Sequence, residues 1–182
     1  MLFVELEDYF EGGDFTENLE HKDFPVIYEA IFKGKQNIPW NDVEKYLKRY
    51  VGNVYGVRLY NDQIIIGGDF PDEYTESRYT KSLRGALAKV KANAAQIIEE
   101  IIGSAESRRW IENKKEKHQK DAAQGWYRYD THFSMRVKGN GDKADRLNKY
   151  KAVLVVRKTD KGMYLYDMIN IKKEASTPLE SE

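Results

Sequence analysis

Between residues 125 and 137 the chain alternates with period two, the signature of a strand with two different faces. Tyr127, Tyr129, Phe133, Met135 and Val137 fall on one face, and Trp126, Arg128, Asp130, His132, Ser134 and Arg136 on the other. The same alternation predicts strands over 150–157 and 163–171, joined by a turn at Thr159-Asp160-Lys161-Gly162. Upstream, residues 2–19 read as a hairpin whose Gly12-Gly13 loop supplies the positive φ angles that tight turns require. A short helix is expected over 24–32, with Pro25 at an early position. A second begins at Pro39-Trp40, runs through Val43, Tyr46, Leu47 and Tyr50, and stops near Gly52. Residues 54–59 and 63–66 form a further hairpin turning at Asn61-Asp62, and 69–73 is a break. A long helix then carries Leu83, Leu87, Val90, Ala94, Ile97, Ile98 and Ile101 on one stripe. After an interruption at Gly103-Ser104 it resumes as a basic helix over 108–120, which ends by Gly125. Residues 138–149 are a flexible loop.

This order predicts an α+β fold: an N-terminal hairpin and helices, followed by a small antiparallel sheet packed on a long helix. The expected organisation is an acidic hairpin arm (1–23), a single α+β domain (24–174) and a disordered tail (175–182).

Composition narrows the class. A chain of 182 residues, 41% apolar and 33% charged, is long enough to bury one core and is rather polar. No apolar run approaches the ~18 residues that a membrane span needs. The start is acidic where a secretory signal would be basic, so a cytoplasmic location with no membrane partner is expected. The absence of cysteine excludes disulfides, thiolate metal sites and cysteine nucleophiles. Zero net charge hides an asymmetry, since residues 1–30 hold nine acids against one base, Lys22. An acidic arm on a basic body suggests two kinds of partner, or an arm folded back on the body; a solvated hairpin is the alternative.

The chain lacks a Gly-x-x-x-x-Gly-Lys phosphate loop, a dinucleotide fingerprint and a Gly-x-Ser-x-Gly nucleophile turn. Asp69, Asp72, Glu73 and Glu76 suit the N-terminus of the long helix better than a metal. His21, His118 and His132 lack ligand-like spacing, so neither a metal nor a cofactor is expected. RNA cleavage needs neither, because the 2′-hydroxyl is an internal nucleophile: a proton must be removed, charge neutralised and the leaving oxygen protonated. On the polar face His132 is the candidate general base or acid, with Asp130 orienting it. Arg128 and Arg136 would clamp the phosphate, and His118 would be a second proton-transfer group. Lys114, Lys115, Lys117, Arg157, Lys172, Tyr127 and Tyr166 are candidate RNA contacts. Each has a structural alternative: His132 as a half-buried imidazole satisfied by Asp130, the arginines paired with Asp130 or Asp167, the aromatics as core.

The segments Pro39-Trp40, Lys45-Tyr46-Leu47-Lys48, Gly68-Asp69-Phe70-Pro71-Asp72-Glu73-Tyr74, Glu116-Lys117-His118, Gly125-Trp126-Tyr127-Arg128-Tyr129 and 164–174 resemble a domain of Firmicutes phages and mobile elements. That domain is similar to the barnase–EndoU–colicin–RelE nuclease superfamily, and the resemblance spans roughly 38–178. It implies helices before a small antiparallel sheet, and metal-independent RNA cleavage. Length and character also resemble the type II anti-CRISPR proteins of streptococcal mobile elements. This implies two partners, a type II CRISPR effector endonuclease and its guide RNA, with the guide truncated. The hairpin, through Phe3, Glu5, Glu7, Phe10, Gly12, Gly13 and Phe15, would dock on the effector, whose guide channel is basic. The rivals are a non-catalytic inhibitor that blocks guide or DNA loading through that acidic hairpin, and a phage accessory domain with neither activity.

Overall fold

The structure, a computed structural model, describes residues 23–34, 36–112 and 124–179. The acidic hairpin, and the segment with Lys114, Lys115, Lys117 and His118, lie outside the described residues.

Three long strands form the spine: β5 (Gly125–Val137), β6 (Arg146–Thr159) and β7 (Gly162–Pro178), all antiparallel. The turn before β7 closes on Gly162 at φ +139, a conformation that favours glycine. Shorter strands hang from both margins. β1 (Val26–Ile27) runs parallel to β5, and β3 (Asp62–Ile65) runs parallel to β7 and carries β2 (Val54–Val57). β4 (Glu106–Glu112) pairs with the first half of β5, outside the β1-β5-β6-β7-β3-β2 order.

One face of this sheet is the core. Tyr129, Phe133, Leu154, Val156, Leu165 and Met168 are buried there. Each such side chain contributes about 1.5–3 kcal/mol through its removal from water. Opposite them lie α1 (Trp40–Leu47), α2 (Phe70–Glu76), α3 (Arg78–Ser82), α4 (Gly85–Ala94) and α5 (Ile98–Gly103). The β5 residue Thr131 donates to the Ile101 carbonyl at 3.2 Å, tying sheet to helix. The sheet curls until its ends meet. Asp62 on β3 accepts two bonds from the Arg108 guanidinium of β4 (2.9 Å each) and one from the Tyr129 hydroxyl of β5 (2.7 Å).

An ion pair lies inside this core. Lys91 of α4, wholly buried, donates to Asp167 of β7 and to the Thr80 hydroxyl, both at 2.5 Å. Asp167, 1% exposed, also accepts from the Met168 amide at 2.8 Å. Burial pulls the Lys91 ammonium down and pushes the Asp167 carboxyl up, and their mutual attraction opposes both shifts.

The α+β class and the hairpins at 54–66 and 150–171 match the sequence reading; several elements do not. The long helix is three pieces. Leu83 and Arg84 are extended, Gly85 sits at φ +63, and a 3-10 turn at Ala95–Ile97 separates α4 from α5. From Val90 to Ala95 every side chain is buried, so α4 enters the core and a one-sided stripe does not describe it. The basic helix begins instead as β4, because Arg109 and Trp110 find partners across β5. Residues 24–32 pair as β1 and then run irregularly, with the Ser134 amide bound to the Pro25 carbonyl at 2.8 Å. The break at 69–73 is the first turn of α2, and the tail residues 175–178 belong to β7. No helix among the described residues is long and apolar enough to cross a membrane.

Candidate active site

β5 is bonded to β6 along its whole length, but its other edge is only partly covered. β4 covers 125–130 and β1 covers 134–135. Between them is a notch at 131–133, and His132 stands in it.

Several elements bring groups to that notch. His132 stacks on Phe24, which precedes β1, with ring centroids 5.0 Å apart. Its Nε2 lies 3.5 Å from Glu106 of β4 and its Nδ1 lies 3.7 Å from Glu174 of β7. Nδ1 is buried and makes no hydrogen bond among the described residues. The imidazole thus has a carboxylate at ion-pair range on each nitrogen. Beside it opens a cavity of about 570 Å³ lined by Asp23, Phe24, Arg58, Leu59, residues 103–106 and His132. Arg58, in the turn after β2, brings a guanidinium against Gly103.

Bulges shape this row, one of them leaving Glu174 between the paired Lys173 and Ala175 of β7. β4 breaks register between Glu106 and Arg109, with Ser107 at φ 54. β7 does so opposite Lys151 and Val153, with Asn170 at φ 54. Bulges re-aim side chains and concentrate where a site demands it. Here they flank residues 130–132 and set Glu106 beside His132.

The predicted catalytic set is only partly together. Asp130 shares the polar face with His132, but its oxygens face Arg109 (3.1 Å) and Lys151 (3.7 Å). Arg128 is half-buried on that face and pairs across β4 with Arg109. Arg136 is turned away: it binds Asp145 at 2.6 and 3.0 Å. Asp167 serves Lys91 and, among the described residues, no arginine. Among the expected RNA contacts, Lys172 is exposed and stands opposite Lys151, itself opposite His132. Arg157 is held by Glu73 at 2.7 Å. Tyr127 packs edge-on to Trp110, and Tyr166 edge-on to Trp126. Among the described residues, no group of three or more His, Asp or Glu could hold a metal ion.

Sequence reasoning missed Glu106, Glu174, Arg58, Arg109 and Lys151. Lys149 and Lys151 do alternate with the buried β6 residues Tyr150 and Ala152, a signal that places them on the polar face. The others come to His132 and Asp130 through strand register and a turn, which spacing does not encode. No family model, curated protein or solved structure matches the chain.

Proposed function

We propose that the chain is an RNase-like inhibitor of a type II RNA-guided DNA endonuclease, disabling the effector by truncation of its guide RNA without a metal. The observation that supports it is His132, flanked by Glu106 and Glu174 at the mouth of a cavity that also holds Arg58. In this reading His132 takes the 2′-hydroxyl proton or returns one to the 5′-oxygen, and a glutamate holds the imidazole in register. Arg58, and Lys151 opposite His132 on β6, neutralise the phosphorane, and Arg128, four residues along the same face, holds the RNA further on. The acidic first 30 residues carry the second reading, docking that blocks loading without cleavage.

The test is a denaturing gel of guide RNA after incubation with effector and chain, repeated with His132→Ala, Arg58→Ala and Arg128→Ala. Cleavage predicts a shortened guide, with the rate lowered about 10²–10⁴-fold by His132→Ala. A full-length guide with inhibition intact overturns the cleavage reading in favour of blocking.

A further inference from the structure

A second cleft, of about 740 Å³, opens where the chain leaves β1, between the first half of α4 and the end of β5. Its floor is apolar, built from Val90, Met135 and Tyr150 with Ala30 and Ala86. Its rim is cationic: Lys33, Lys89, Lys138 and Arg136 face one carboxylate, Glu29. Asp145 already neutralises Arg136, and by also accepting the Gly139 amide at 3.0 Å it pins the loop that carries Lys138. Lys33 and Lys89 make no ion pair among the described residues, and Lys138 lies in the field of Asp145. Tyr28 stands at the edge with 73% of its surface exposed, directly after Ile27, which is buried. Asn140 and Asn148 add amide groups able both to donate and to accept.

We propose that this cleft holds single-stranded RNA, with a base stacked on Tyr28 and the flanking phosphates on Lys33, Lys89 and Lys138. An exposed aromatic ring beside unpaired cations, over an apolar floor with amides at its edge, is what an unstacked nucleotide requires. A duplex keeps its bases stacked inside and offers Tyr28 no ring face. An acidic peptide would use the lysines but leave ring and floor unoccupied. The inference rests on the RNA reading above for its occupant and deepens it, because holding is separated from cutting: the cleft and His132 share no lining residue.

The experiment measures binding of a fluorescent uridine-rich 12-mer by the full chain, without effector, across a salt series. Tyr28→Ala weakens binding about tenfold, the loss of one stacked base. Lys89→Glu with Lys138→Glu weakens it further and lowers the salt slope by about 1.4, two phosphates' worth on a single strand. Lys161→Glu, in the exposed β6–β7 turn, changes the tight-binding constant little. Equal binding by the cleft variants and the unaltered chain overturns the inference, as does equal competition by duplex RNA or polyglutamate. A chain that shortens guide yet binds no free RNA also overturns it, and leaves the cleavage reading standing. RNA held through Tyr28 with no guide ever shortened supports it and removes the cleavage reading.

Discussion

Replacing Lys91 by methionine keeps most of the side-chain volume and removes its charge, stranding the Asp167 carboxylate in the core. The carboxylate would keep the Met168 amide and lose a 2.5 Å charge-assisted bond. Breaking a buried pair in this way costs about 3–5 kcal/mol near neutrality. The cost is expected to depend on pH with a definite sign. Burial already raises Asp167 above the ordinary carboxylate range, and losing the ammonium raises it further. A group raised in the folded state contributes fully below its unfolded pKa and loses that contribution as pH rises. Lys91→Met therefore recovers stability on acidification relative to the unaltered chain, by about 1.4 kcal/mol per pH unit between the folded-state pKa of Asp167 in the variant and its lower value in the unaltered chain. Asp167→Asn is the mirror case. It leaves an ammonium that burial has lowered, so its penalty shrinks as pH rises towards the range where Lys91 gives up its proton. The assay is urea unfolding of both variants and the double variant at several pH values. A coupling energy of about 3 kcal/mol and opposite pH trends are expected. Single variants costing under about 1 kcal/mol, or trends of the same sign, would refute the reasoning.

Three further perturbations test other parts of the frame. Gly125→Ala places a Cβ 2.7 Å from the Trp110 ring and 2.8 Å from the Ile111 carbonyl, at φ +141. Thermal unfolding should show a loss of about 2 kcal/mol or more, through the β4–β5 pairing. Asp62→Asn weakens the acceptor for Arg108 and Tyr129 that closes the curl, and denaturant unfolding should register about 2 kcal/mol. Asp145 is held below the usual carboxylate range by the Gly139 amide and then by Arg136. That contribution is present above the unfolded pKa and lost as pH falls through the folded one. Amide exchange at Gly139 should therefore lose protection below about pH 4 while β5–β6 amides keep theirs.

The long hairpins were legible because period-two alternation and a glycine turn are local signals, and α1 because Pro39 starts a clear stripe. The middle of the chain was not. Lys91, in an alanine-rich helix, reads as solvent-facing until β7 supplies Asp167, 76 residues away. Arg108 and Trp110 look helical until β5 offers a partner edge. That His132 shares a strand face with Arg128 and Asp130 could be read directly. Its glutamates could not, since each reaches it by pairing whose register includes a bulge.

The two parallel seams have a temporal consequence. β1 and β3 are made early, yet each lies against a strand translated about a hundred residues later, Val26 beside Ser134 and Ile64 beside Met163. Until those strands emerge from the ribosome, the first half of the nascent chain has no sheet to join. Its apolar segments must then wait, exposed to chaperones, β1 for β5 and β3 for the later β6–β7 hairpin.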